Sequence, residues 1–169
     1  MNCSSLIFAL DVFIDHIHVI GGHMNNTRRR EINKLADSIR SIINLSVPTD
    51  VELAVRLLGG KLQTLPANHD PEAFVEKNGD SFTIAVIAGS KNRRRFSIAH
   101  ELGHLFLHMG YMIDKQKWLN VDRYNDSVKF RYGYTEEEYE AHEFAGAFIM
   151  PEAEFRAIAE TFRNQDKYS

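Results

Sequence analysis

"RRRFSIAHELGHLFLH", residues Arg93–His108, sets three histidines and one glutamate among apolar residues. His100 and His104 are four residues apart, which on an α-helix puts both imidazoles on one face, a turn apart and within reach of one ion. Zinc suits such a pair, because it accepts neutral imidazole and needs no redox chemistry. Glu101, next to the first histidine, is placed to take the proton of a water on the metal, whose pKa falls to about 7. The pentapeptide alone also fits a core helix with satisfied histidines. Two features favour the metal. Phe96, Ile98, Ala99, Leu102, Leu105, Phe106 and Leu107 are apolar on several sides of the helix, so burying His-Glu-His without a partner would be costly and an ion would offset that cost. Gly103 between the two histidines costs the helix about 1 kcal/mol relative to alanine, which implies a close approach by another segment or by a substrate.

A catalytic zinc site keeps three protein ligands and an open position. His108 continues the stack, but the helix drifts by about 40° over each four-residue step. It is therefore read as a supporting residue hydrogen-bonded near the site. The better source is the glutamate-rich stretch "YTEEEYEAHEFAGAFIMP", Tyr134–Pro151. Its apolar face is Ala141, Phe144, Ala145, Phe148 and Ile149. At about 100° per residue, Glu143 falls nearly opposite that face, while Glu140 and His142 flank it. Glu137 and Glu138 lie nearer its centre, but in the first turn, where carboxylates serve capping and the helix dipole. Geometry leaves Glu140, His142, Glu137 and Glu138 open.

The flanking chain reads as a mixed α and β domain. Arg29–Leu45 has helical apolar spacing that Pro48 ends. A second helix starts at "TDVE", with Thr49 as N-cap and Glu52 three residues on, and stops at Gly59-Gly60. "KLQTL" (Lys61–Leu65) predicts a short strand, and "SFTIAVIA" (Ser81–Ala88), rich in β-branched and aromatic residues, a clear one. Residues 66–80 read as turns, and Gly110–Gly133 carries no decisive pattern. Thr135 and Glu138 form a capping box for the glutamate-rich helix, and Pro151 suits the first turn of the last helix. Residues 1–23 differ in character and end at a glycine pair. They read as an N-terminal extension, upstream of Met24 or native, ahead of a domain spanning 24–169.

The 169 residues suffice for one domain with a core. The single cysteine, Cys3, excludes a disulfide framework and any multi-cysteine zinc site, so a metal must use histidine and carboxylate. The apolar run Ser5–Gly22 is interrupted by Asp11 and Asp15 and is too short to span a bilayer. No membrane partner and a cytoplasmic setting are expected. The net charge of −3 argues against direct nucleic-acid binding, and the triplets Arg28–Arg30 and Arg93–Arg95 read as solvated basic faces.

These motifs resemble the ImmA/IrrE-type zinc metallopeptidases. "RRRFSIAHELGHLFLH" is similar to that family's active helix, "EYEAHEFAGAFIMP" to its second motif, and "VPTDVELAVRLLGGKL" to the segment before its sheet. The resemblance covers Asn33 to about Phe155. It implies an α+β fold, a mainly helical zincin-like domain with a small β-sheet beside the H-E-x-x-H helix. It implies one zinc ion on His100, His104 and Glu140, with Glu101 as general base. His142 departs from the family's usual Asn or Asp, so it and His108 are read as supporting residues or alternate ligands. The strand holding Thr83, Ile84, Ala85 and Val86 is expected as an edge on which substrate is laid. Tyr132 and Tyr134, just before the ligand helix, are candidate oxyanion donors. The resemblance further implies an endopeptidase acting on a helix-turn-helix repressor or antitoxin partner, in a phage, mobile-element or toxin–antitoxin setting. The alternative is a non-catalytic module that binds such a partner, with zinc structural or absent.

Overall fold

The computed structural model describes residues 25–125 and 135–165; the expected extension over 1–23 and both Tyr132 and Tyr134 lie outside them. Helix α1 (Asn26–Ile42) opens on Asn25, whose side chain accepts from the Arg28 N–H, and buries Ile32, Leu35, Ala36 and Ile39. Helix α2 (Val51–Leu57) is capped by Asp50, whose carboxylate accepts from the Leu53 N–H at 2.9 Å. The expected cap, Thr49, is instead buried, and its hydroxyl accepts from the Arg40 guanidinium at 2.5 Å. Asp and Thr are both good caps, and the demand of a buried cation decides between them. Gly59 ends the helix at φ +83°, a left-handed conformation that glycine adopts at no cost.

Four strands follow one another in space as β1 (Lys61–Leu65), β3 (Ser81–Ile87), β2 (Ala73–Asn78) and β4 (Arg123–Asn125). The β1–β3 pair is parallel, and the others are antiparallel. β2 occupies part of the region expected to be turns. Its Phe74, Val75 and the β3 residues opposite them form a hairpin around Gly79, which holds φ +63°. The placement of β3 overturns the edge-strand expectation for Thr83, Ile84, Ala85 and Val86. These residues pair with β1 on one side and β2 on the other. The near-continuous apolar run that made this strand conspicuous is what an inner strand needs, covered on both faces. Phe82, Ile84 and Val86 face the main core, while Ala85 meets Leu65 and Phe74 on the reverse side.

The H-E-x-x-H segment is helix α3 (Lys91–Gly103), started by Ser90, and it runs without a break into a π-helical turn, His104–His108. The π turn closes where the Met109 N–H donates to the His104 carbonyl at 2.9 Å. Such turns are rare and concentrate at functional sites. A short helix α4 (Lys115–Asn120) leads to β4. Helix α5 (Glu136–Ile149), capped by Thr135, packs against α3 on one side and α1 on the other, and α6 (Glu152–Gln165) follows Pro151. The architecture is α+β, mainly helical, with the small sheet beside α3.

Two arginines of the second triplet are drawn into this packing, while Arg93, like Arg29 and Arg30 of the first, stays exposed. Arg94 donates to Glu52 at 2.9 Å and Arg95 to the Thr49 carbonyl at 3.1 Å, which tie the start of α3 to α2. Arg40 is only 4% exposed and donates to the Phe148 carbonyl at 2.7 Å, closing the end of α5. No helix among the described residues is long and apolar enough to cross a membrane.

Candidate metal centre

The site begins with a close helix crossing. A Cβ added at Gly103 would lie 2.9 Å from the Cα of Ala141 and 3.1 Å from its carbonyl oxygen. Glycine lets α3 and α5 touch backbone to backbone, which is the close approach the sequence implied. The histidines lie on either side of the crossing, His100 three residues before Gly103 on α3 and His104 directly after it at the start of the π turn. On α5, Glu138 lies three residues before Ala141 and Glu140 one before. The crossing therefore brings two histidines and two glutamates to one place.

Two imidazole nitrogens and one carboxylate converge there. His104 Nε2 is 3.0 Å from His100 Nε2. His100 Nε2 is 3.2 Å from one oxygen of Glu138, and His104 Nε2 is 3.6 Å from the other. All three side chains are buried. Tetrahedral zinc with bonds of about 2.0–2.2 Å holds its ligand atoms roughly 3.3–3.5 Å apart. The nitrogen–nitrogen distance and the approach of a carboxylate oxygen to each imidazole are close to that spacing, and two neutral imidazoles with one carboxylate are a donor set zinc accepts. His100, His104 and Glu138 are the group among the described residues that could hold a metal ion. Glu101, next to His100 on α3, is fully buried.

Glu140 has other partners. Its two oxygens accept from Arg28 Nε at 2.6 Å and Arg28 Nη2 at 2.8 Å, and His108 Nε2 lies 3.3 Å from one of them. The resemblance implied Glu140 as the third ligand, but its carboxylate faces this Arg–His pair, one helical register from the histidine pair. Burial alone pushes the Glu140 carboxyl up. The bonds from Arg28 and His108 and their charge outweigh it and hold the group at about 2. The bond to Glu140 raises Arg28 in turn, against its own burial. Burial pushes His108 below the ordinary imidazole value, with the Glu140 bond opposing it.

His108 sits where support is needed: its Nδ1 is 2.9 Å from Nδ1 of His104. His142 supports the other ligand. Its Nδ1 is 2.7 Å from the Glu138 carbonyl, and its ring stands edge-on to His100 at 4.6 Å. Phe96, from the lead-in to the motif, lies 6.3 Å from the His100 ring and nearly parallel to it. Neither His108 nor His142 adds a ligand atom to the cluster. His69 is elsewhere, with Nδ1 at 2.7 Å from the Pro71 carbonyl.

Two residues at this centre went unread in the sequence. Tyr124, on β4, stacks on the His104 ring at 3.9 Å, and its hydroxyl donates to Glu137 at 2.5 Å. β4, not β3, is thus the sheet edge among the described strands that reaches the centre. Its three residues fall in a connection with no periodicity to reveal them. In the sequence Arg28 reads as part of a solvated triplet, and nothing local distinguishes it from Arg29 or Arg30. Only the packing of α1 on α5 selects it.

Among protein-family models, the IrrE N-terminal-like domain of the Peptidase_M78 family matches residues 83–168. That span runs from β3 through α6 and takes in both motifs. Comparison with curated proteins gives no match.

Proposed function

The chain belongs to the Peptidase_M78 family of IrrE N-terminal-like domains, whose role is of metallopeptidase type, and from that premise we propose that it is a zinc-dependent endopeptidase. The observation that carries this is the convergence of three buried side chains, with His100 Nε2 and His104 Nε2 3.0 Å apart and one oxygen of Glu138 3.2 Å from the first and the other 3.6 Å from the second. His100, His104 and Glu138 would hold one zinc ion. When bound, it supplies Lewis acidity that activates water and polarises the scissile carbonyl. Glu101 is the general base, taking the proton from the attacking water and passing it to the departing amine. His142 and Phe96 fix the His100 ring. Tyr124 shields one face of His104, which restricts that imidazole to the orientation the ion requires.

The proposed substrate is a protein, a helix-turn-helix repressor or antitoxin encoded near this chain, in a phage, mobile-element or toxin–antitoxin setting. Support for it is the likeness of the two motifs to ImmA/IrrE-type peptidases. The test is incubation of zinc-loaded protein with the neighbouring repressor, followed by mass spectrometry of the fragments. Glu101→Gln is expected to keep its zinc and to cut at least about a hundredfold more slowly, the scale of a lost general base. Equal cleavage by both proteins would overturn the mechanism.

A further inference from the structure

Arg28 lies on α1, outside the span that matches the family, yet it is joined to the centre by an unbroken polar chain. Arg28 Nε and Nη2 hold the two oxygens of Glu140 at 2.6 and 2.8 Å, a bidentate grip. Glu140 faces His108 Nε2 at 3.3 Å, and His108 Nδ1 faces His104 Nδ1 at 2.9 Å. Arg28, His108 and Glu140 have side chains 17%, 8% and 10% exposed, so water competes little for any link.

The protons along this chain can be ordered from either end. If Nε2 of His104 is to offer a lone pair to a metal, its proton must sit on Nδ1. That N–H donates to Nδ1 of His108, which leaves the His108 proton on Nε2, pointing at the Glu140 carboxylate. From the far end, Arg28 has only donors, so Glu140 can only accept from it and stays a carboxylate that also accepts from His108. The two orders coincide. Every donor in the chain is consistent with His104 presenting its Nε2 lone pair to the cluster.

From this geometry we propose that Arg28 is a positioning residue for the metal centre. Its grip on Glu140 fixes the His108 ring and, through it, the tautomer and orientation of the ligand His104. The proposal rests on the metal centre proposed above. It adds that the helix preceding the matched domain is part of the metal site. Without Arg28, the Glu140 charge is left buried and uncompensated, its carboxylate turns away, and His104 is released to sample the tautomer with its proton on Nε2.

The experiment measures zinc affinity by competition with a chromophoric chelator for the full chain and three variants. Histidine nitrogen chemical shifts of the zinc-loaded proteins report the tautomers. Melting of the zinc-free proteins checks that each is folded. Arg28→Met is expected to bind zinc about 10- to 100-fold more weakly, the usual loss when a partner of a metal-bound histidine is removed. It should also lose the Nδ1-protonated signature of His104. Arg28→Lys keeps the charge with a single donor group and should fall between it and the wild type; it carries the test if Arg28→Met does not fold. The double variant Arg28→Met/Glu140→Gln removes the buried charge but keeps an acceptor for His108. It should bind zinc at least about threefold more tightly than Arg28→Met alone. A merely structural arginine would give no such recovery. Zinc affinity within twofold of wild type in Arg28→Met, with unchanged tautomers, would overturn the inference alone. So would a double variant no better than the single one. A wild-type chain that binds no zinc would overturn the metal reading and the inference with it.

Discussion

Replacing Gly103 with alanine probes the crossing on which the centre depends. The new Cβ would stand 2.9 Å from Ala141 Cα, 3.1 Å from its carbonyl oxygen and 3.3 Å from its Cβ. Non-bonded carbons rest at about 3.5–4.0 Å, so α3 and α5 must part by roughly 0.6–1 Å at this point. Two of the three close atoms are backbone, which no rotamer change relieves. Overpacking of this kind costs about 1–3 kcal/mol, and the better helix propensity of alanine returns about 1 kcal/mol. The net loss of stability is then about 0–2 kcal/mol, readable from urea unfolding of the zinc-free protein. The effect on the centre is larger in proportion. Glu138 rides on α5, one turn before Ala141, so the separation adds to its 3.2 and 3.6 Å distances from His100 and His104. At about 4 Å, the carboxylate no longer shares an ion that needs bonds of about 2.0–2.2 Å. Zinc affinity is expected to fall at least about tenfold, by chelator competition. Gly103→Ala that is about 1 kcal/mol more stable than wild type, with unchanged zinc affinity, would refute the reasoning.

Glu140 makes stability depend on acidity. Its carboxyl lies at about 2 in the fold against an ordinary 4.5, so its contribution is complete above about 4.5 and is lost as pH falls toward 2. Zinc-free wild type should therefore lose stability more steeply than Glu140→Gln over that window; parallel profiles in urea unfolding would contradict it. Arg40→Met keeps the apolar stem but leaves the Phe148 and Leu45 carbonyls without the guanidinium donors that now reach them at 2.7 and 3.4 Å. A loss of roughly 1–3 kcal/mol is expected in equilibrium unfolding, and a change below about 0.5 kcal/mol would count against it. Zinc present at a hundredfold its dissociation constant should raise wild-type stability by about 2.7 kcal/mol, and a chelator should remove that gain; a melting temperature indifferent to both would speak against a folded-state metal site.

The two histidines, the glycine between them and the existence of a strand at Ser81–Ala88 were legible because local spacing and composition carry their signal. Four-residue spacing brings His100 and His104 together in any helix, and Gly103 has no local reason to be there. The third carboxylate was harder. Glu138 falls at the third helical position after the cap Thr135, where a glutamate ordinarily turns back to the helix N-terminus. The Thr135 hydroxyl does accept from the Glu138 N–H, yet the carboxylate lies with the histidines. The wheel placed Glu138 near the centre of the apolar face, and its capping position masked that signal. Glu140, flanking the same face, was drawn instead to Arg28, a partner 112 residues away that no local pattern announces. The edge-strand expectation failed for a similar reason, since strand order depends on pairings between segments rather than on the composition of one. β4, with only three residues, has too little sequence to show an alternation.

The most direct test of the account is anomalous diffraction at the zinc edge from crystals of zinc-loaded wild-type protein. It should place one ion about 2.0–2.2 Å from His100 Nε2, His104 Nε2 and an oxygen of Glu138, with Glu140 still held by Arg28. An ion bound to Glu140 in place of Glu138, or no anomalous peak between the two histidines, would contradict it.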